Sequence, residues 1–379
     1  MKRRRIAVVV LNDFTRDNRV LKVASTLAEA GAEVEVVALP GRDLPEREVR
    51  EGGWRVRRLR WGIWKSDRIK GVRFGRLAYF AWQVIVGYRK WDAWHCNDAE
   101  AFALGVLAKR LAPRLDLIYD CHEFEAERNA KSPRYLAAVA WLERRHIHRA
   151  HSVITVSPSI RQAYLDRYGS VGVPEVHLVR NVPHAVDRPT PPERDFRVRF
   201  GIPPTEFIAL YQGAFTYNRG LENALEAAER LTGRGVHFVF MGYGPLEGLV
   251  EAASNRLAHV HRHEAVAYDW VLAHTAAADV GLVSVKPTCL SYLYCLPNKL
   301  FEYIQAGLPV LTNELPDCVQ LVQEYGIGEV VADDSPQGWA DALLALRESG
   351  RDYREGLEAA SLQLRWQKEA PLLLKAHGL

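Results

Sequence analysis

The sequence predicts an α/β protein built from two Rossmann-like, doubly wound parallel-sheet domains, and three observations carry that expectation. Short apolar runs alternate, from one end of the chain to the other, with segments whose apolar residues recur at helical spacing. The opening run, Ile6 to Leu11, is stopped by Asn12 and Asp13 after six residues, the length of a buried strand. Residues 183–195, PHAVDRPTPPERD, place four prolines in thirteen positions and interrupt the alternation, as a linker does. The expected domains are therefore residues 1–185 and 186–360. A helical tail, 361–379, either crosses back to the first domain through Trp366, Leu372 and Leu373 or packs on its own.

In the first series, residues 5–11 read as a strand. Val20, Leu21, Ala24, Leu27 and Ala28 mark a helix over 19–30 that stops at Gly31. A strand is expected at 33–38, helices at 77–88 and 99–111, and strands at 92–95 and 116–120. A helix at 134–149, a strand at 152–156, a helix opened by Ser157-Pro158 and a strand at 176–180 complete the first domain. After the linker, strands are expected at 207–212, 236–241, 258–261, 279–284, 308–311 and 328–331. Helices between them fall at 219–231, 246–256, 268–277, 299–306, 316–324 and 335–348, and one further helix at 353–376. In such sheets ligands bind beyond the carboxyl ends of the strands, so the loops after strands are where chemistry is expected.

With 379 residues, 48% hydrophobic and 25% charged, the chain has the profile of a soluble globular protein of two or three domains. Its five cysteines form no CxxC pair and no zinc spacing, which points to a reduced compartment. The first apolar run is too short for a signal-peptide core or a membrane span, so the expected location is cytoplasmic. Net charge is +4, yet residues 50–90 carry twelve basic side chains against Glu51 and Asp67, interleaved with Trp54, Trp61, Trp64, Phe74, Tyr79, Phe80 and Trp82. That mixture suits an anionic membrane surface, which would place the protein peripherally at the inner membrane face. A solvated basic face with its aromatics turned inward fits equally well, and nucleic acid is not expected as a partner. Strand 1 is followed by no GxGxxG, which argues against a dinucleotide-dependent dehydrogenase.

The most informative stretch is LPNKLFEYIQAGLPV, residues 296–310. A Pro297-Asn298 pair breaks the backbone, and a helix then begins at Lys299, carries Glu302 about one turn on and stops at Gly307. A helix N-terminus with a lysine suits a phosphate, and a nearby carboxylate suits sugar hydroxyls. Gly213 ends a strand and Arg219-Gly220 opens the next helix, where an arginine can clamp a diphosphate bidentately. Gly242-Tyr243-Gly244-Pro245 is a turn whose glycines let backbone approach a ligand, or a plain tight turn. Asp120-Cys121-His122-Glu123 follows a strand and sets a titratable pair at its end, with His95 as a rival histidine. Asn12 to Val20 joins the first strand to the first helix, and Asp13 or Asp17 there either orients a substrate or caps the helix.

These segments resemble those of family 4 glycosyltransferases, retaining enzymes of the GT-B fold, along nearly the whole chain. The resemblance implies two domains facing across a cleft, with a nucleotide-sugar donor on the second and the acceptor on the first. It implies donor contacts at Gly213, Gly242, Tyr243, Gly244, Tyr294 and Asn298, and catalytic roles for His122, Arg219, Lys299 and Glu302. Acceptor contacts fall on Asn12, Asp13, Asp17, Arg19 and Glu123. Two positions depart from the family's pattern: Ala214 replaces one of two basic residues, and Tyr294 replaces the first of two glutamates spaced as Glu302 requires. In the family the leaving phosphate takes the acceptor's proton and attack occurs on the same face, with no enzymic nucleophile. Neither a DxD motif nor a metal-ligand spacing is visible, so no cofactor and no essential metal are expected. The acceptor is a glycan, a lipid-linked sugar or a small molecule. The alternatives are a sugar-nucleotide epimerase of the same fold and a non-catalytic nucleotide-sugar-binding protein.

Overall fold

The computed structural model describes residues 3–15, 17–60, 72–185 and 189–379, with 72–74 described by backbone alone. Trp61, Trp64, Lys65, Asp67, Arg68 and Lys70 of the basic, tryptophan-rich stretch lie outside the described residues, as do the side chains of Arg73 and Phe74 and residues 186–188 of the linker.

The chain divides into two compact units, Met1–Arg180 with Glu369–Leu379, and Asn181–Lys368. The strands of the first unit are β1 (Arg5–Val9), β2 (Glu33–Ala38), β3 (Arg47–Val49), β4 (Arg55–Arg58), β5 (Ala93–Asn97), β6 (Asp116–Cys121), β7 (Ser152–Thr155) and β8 (Val176–Leu178). Those of the second are β9 (Phe207–Ala214), β10 (Val236–Tyr243), β11 (Val260–Glu264), β12 (Val280–Val283), β13 (Val310–Asn313) and β14 (Gly328–Val331). Among the described residues the first unit holds one sheet ordered β3-β4-β2-β1-β5-β6-β7-β8, and the second one ordered β11-β10-β9-β12-β13-β14. Every pairing is parallel except β3 with β4. Helices cover parallel strands on both faces, which is why Ile6 to Val9 and Ile208 to Tyr211 are sealed from solvent. In each sheet the strand order reverses once, between β1 and β5 and between β9 and β12, and a crevice opens at such a switch point.

The doubly wound plan holds, with local differences. β3 and β4 were not expected, because REV and RVRR carry arginines at nearly every other position and lack an apolar run. They form the antiparallel edge, where polar side chains are tolerated. Arginines in and just after β4 are paired with acids outside the 50–90 window: Arg55 with Glu33 and Glu35, Arg58 with Glu48, Arg60 with Glu46. These three of the twelve basic side chains there are thus matched by acids within the fold. The tail is two helices, Arg354–Gln363 and Trp366–Ala376, because Leu364 leaves helical geometry while Gln305 Nε2 donates to its carbonyl and Trp366 N–H donates to Pro183 O. The division between units falls inside the second of these helices, later than residue 361. Trp366 therefore belongs to the second unit and Leu372 and Leu373 to the first.

Candidate active site

In the second unit, the carboxyl ends of β9, β10 and β12 carry the nucleotide-site candidates. β9 ends Tyr211-Gln212-Gly213-Ala214, and Arg219-Gly220 leads into the helix Leu221–Arg230. Gly220 has φ +74°, and a Cβ there would overlap the carbonyl oxygen of Ser284, just past β12. Only glycine allows this turn to press against β12. The same contact fixes Arg219, whose carbonyl accepts from Tyr211 Oη at 3.1 Å and from Ser284 Oγ at 3.3 Å. Its guanidinium carbon stands 4.5 Å from the centre of the Tyr292 ring, a flat cation–π seat that leaves the N–H fork for a ligand.

Lys299 is the second residue of the helix Asn298–Ala306, whose N-cap is Pro297 and whose first turn has no side-chain cap. Its chain passes Gly213, where the missing Cβ would stand 3.8 Å from Cε. Its Nζ lies 3.7 Å from the centre of the Tyr211 ring, shielded from solvent and without a hydrogen-bond partner. Burial, then the Arg219 charge, lower its pKa to about 7, against the opposing pull of Glu302 and Cys295. A buried amine with no partner lacks the anion that would complete it.

Glu302 opens the second turn of that helix and accepts from Gln212 Nε2 at 2.5 Å, while Gln212 Oε1 accepts from Thr275 Oγ1 at 2.6 Å. Gln212 was not singled out in the sequence; its only signal was its place next to Gly213. Tyr303 Oη, fully buried, donates to Leu210 O or Leu282 O and accepts from Gln212 N–H, so one hydroxyl joins β9 to β12 at the switch point.

The glycines expected to touch the donor have a nearer task. A Cβ on Gly242 would overlap Gly213 O, its register partner, and one on Gly244, at φ +154°, would meet Phe215 O at 2.5 Å. The close approach they permit is between strand ends. Tyr243 between them is half exposed. Asn298 is exposed, and its Oδ1 accepts from Asn181 Nδ2 at 3.0 Å. Tyr294 ends the short helix Leu290–Leu293 and is partly buried.

In the first unit, the loops after β1, β5 and β6 meet around Asp120, which is fully buried at the end of β6. Arg19 donates to both of its oxygens, from Nε at 2.8 Å and Nη2 at 2.7 Å, and from Nη1 to Val179 O at 3.0 Å. His95 Nε2 lies 3.0 Å from Asp120 Oδ2, and His122 Nε2 lies 3.4 Å from the same oxygen. His122 Nδ1 faces Asp98 Oδ1 at 3.4 Å. Burial acts to raise the Asp120 pKa, but Arg19 and His122 hold it well below the usual range. Burial likewise acts to lower that of His122, but Asp98 and Asp120 carry it up to about 9. His95 is lowered by burial, only partly offset by Asp120. The unit thus presents an imidazolium, His122, at the end of a buried carboxylate.

Asp98 takes φ +64°, a left-handed conformation uncommon for a side-chain-bearing residue, directly after β5. Asp98 was not singled out at the sequence level, and Asp120 entered only as the first residue of the Asp120–Glu123 segment. The Asn12–Asn18 loop is braced internally. Asp17 caps the helix Asn18–Glu29 by accepting from Val20 N–H at 3.1 Å, and Asn12 joins Asp17 to the Phe14 N–H. Asp13 accepts from Thr15 Oγ1 at 2.7 Å, and its carbonyl accepts from Arg58 Nε at 2.8 Å. Arg19, expected to meet an acceptor, is buried with its guanidinium engaged, so it holds Asp120 instead. Glu123 faces Arg128 Nε at 3.3 Å.

A glycosyl transferase 4-like domain matches residues 17–182, and a glycosyl transferases group 1 domain matches residues 206–349. With two parallel-sheet units of this topology, the chain belongs to the GT-B glycosyltransferases. It is 24% identical to the putative colanic acid biosynthesis glycosyl transferase WcaI of Escherichia coli, over 87% of this chain and 89% of that one. In structure it is similar to sucrose-phosphate synthase from Thermosynechococcus elongatus, with TM-score 0.80 and 20% identity over 99% of this chain and 98% of that one. Anabaena HepE, solved with UDP-glucose, has TM-score 0.75 and 15% identity over 99% of each chain.

Proposed function

We propose that the protein is a retaining, nucleotide-sugar-dependent glycosyltransferase that works without an essential metal. The observation that carries this reading is the buried, unpartnered Nζ of Lys299 beside Arg219, at the carboxyl ends of β9 and β12. A diphosphate seated there receives the Arg219 fork and the Lys299 ammonium as its bond to the sugar breaks, so charge is stabilised where it develops. Glu302, oriented by Gln212, meets sugar hydroxyls of the donor. Tyr294, just after the helix Leu290–Leu293, and Asn298, at the start of the helix Asn298–Ala306, complete the donor site in this reading. Binding of UDP-glucose by HepE makes uridine diphosphate sugars the first donors to try.

The acceptor is a glycan or lipid-linked sugar held by the first unit, with His122, Asp13 and Glu123 as its contacts. The attacking hydroxyl gives its proton to the leaving phosphate, so no enzymic base is needed. Transfer occurs in the cytoplasm at the inner membrane face. Among the described residues no helix is long and apolar enough to cross a membrane. Peripheral attachment is supported by the helix Val72–Tyr88, where Trp82 is 57% exposed and stacks on Tyr79 at 5.7 Å. Flotation with anionic liposomes should carry the protein upward, and Trp82→Ala should weaken it; a protein that stays at the bottom is not a membrane-surface enzyme.

A thermal-shift screen of UDP-, GDP-, ADP- and TDP-sugars tests the donor reading. A donor at about 100 times its dissociation constant should stabilise by about 2.7 kcal/mol. Product analysis with donor alone separates transfer from epimerisation. If no nucleotide-sugar raises the melting temperature, the reading is wrong.

A further inference from the structure

The chain's C-terminal tail reaches the His122 cluster. His377, two residues from the end of the chain, is fully buried, and its Nε2 lies 3.0 Å from His95 Nδ1. The two rings are within 6° of parallel with centroids 5.2 Å apart, side by side as an in-plane N–H···N bond requires. The tail is fastened there by Ser152 Oγ donating to Ala376 O at 2.7 Å and by Arg4 donating to His377 O. Glu369, at the other end of the same segment, accepts from Arg180 N–H and from its guanidinium, both at 2.9 Å.

We propose that His377 is a positioning residue for the transfer reaction, filling the His95 Nδ1 acceptor so that His95 stays neutral and Asp120 holds His122 in place. The proposal rests on the role given to His122 above. Its logic is the direction of the hydrogen bonds. Asp120 is an ionised acceptor, so the His95 nitrogen facing it, Nε2, carries the proton. The other nitrogen, Nδ1, is then a bare acceptor. It takes a hydrogen bond only if His377 carries its proton on Nε2. The remaining nitrogen, His377 Nδ1, is buried without a partner, as this arrangement requires of a neutral ring. Hydrogen bonds then run one way, from His377 to His95 to Asp120.

The groups facing His377 are Arg4, His95, His151 and Asp120, and those facing His122 are Asp98, Asp120, Arg19 and Glu125. Burial, and after it the neighbouring His95 and Arg4, hold the His377 pKa well below its ordinary value, so the ring stays neutral. Without its N–H, the His95 Nδ1 site admits water or a proton. A protonated His95 competes with His122 for Asp120 Oδ2, the oxygen both face. The His122 pKa then falls.

The test is nitrogen-15 NMR of the histidine rings in the full-length protein. In the wild type, His95 and His377 should both be neutral Nε2–H tautomers from pH 6 to 9. An Nδ1–H tautomer at His95 overturns the proposal, and this measurement needs no variant to fold. His377→Leu should lower the His122 pKa by about one unit, and His377→Gln, whose amide N–H reaches the same place as Nε2, should restore it. A His122 titration that is the same in both variants and the wild type overturns the proposal. The pH profile of donor turnover should shift with the His122 titration. If the titration moves and the profile does not, the tail's hold on His122 stands and the part given to His122 in transfer falls.

Discussion

At the scale of single residues, the two candidate clusters are opposites. Around Asp120 a buried charge is fully satisfied; at Lys299 a buried charge has no partner. The first is therefore a stability feature as well as a site. Asp120→Asn leaves the Arg19 guanidinium buried without its counter-charge, a loss of about 3–5 kcal/mol that thermal melting should register. The second is an unfinished site, and its incompleteness has a pH signature. Lys299 titrates near 7 without ligand, and a bound diphosphate raises that value. Donor binding should take up a proton above pH 7, and affinity should weaken as pH rises beyond it. Calorimetry in buffers of different ionisation enthalpy measures that proton, and Lys299→Arg should abolish it. Arg219→Ala and Lys299→Ala should each raise the barrier by about 3–4 kcal/mol, a loss of roughly 10²–10³ in kcat.

At the scale of elements, glycines at strand ends let the site assemble. Gly220 at φ +74° places Arg219 by letting its turn touch Ser284 O, and an added methyl would meet that backbone oxygen first, which cannot rotate away as a side chain can. Gly220→Ala should therefore lower the melting temperature and weaken donor binding together, whereas Gly233→Ala, with open space around a comparable φ of +72°, should affect stability alone. Loop polarity and strand ends also explain what was legible. The segment 299–306 was read as a helix, and the helix Asn298–Ala306 is found there, because Leu300, Phe301 and Ile304 repeat at helical spacing and Gly307 stops it. β3 and β4 escaped because an arginine-rich edge strand has no apolar signature. Gln212 escaped because a single polar residue at the end of a strand looks like any other.

At the scale of the molecule, the histidines of the first unit set a pH window for its stability. His122 has a folded pKa near 9, above its ordinary 6.5, so its contribution is present below about 6.5 and is lost as pH rises through 9. His95 and His377 are lowered by burial, so their contribution is present above about 6.5 and is lost as pH falls. Melting of the first unit should peak around neutrality and fall on both sides, by calorimetry across pH 5 to 10. Deleting residues 369–379 removes Glu369, the buried Leu373 and Ala376, and His377, and should destabilise the first unit while leaving the second unit's transition in place.

The sequence by itself determined the alternation of strands and helices, the proline-rich break at residues 183–195 and the cationic helix start at Lys299. Each of these is written in neighbouring residues: apolar spacing, proline density and a stop at glycine. Only the tertiary structure decided that Arg19 holds Asp120 across 101 positions, that Gly242 packs on Gly213, and that His377 meets His95 across 282. Those partners have no local signature, because parallel sheets join strands through long crossovers and bring distant loops together at the strands' carboxyl ends.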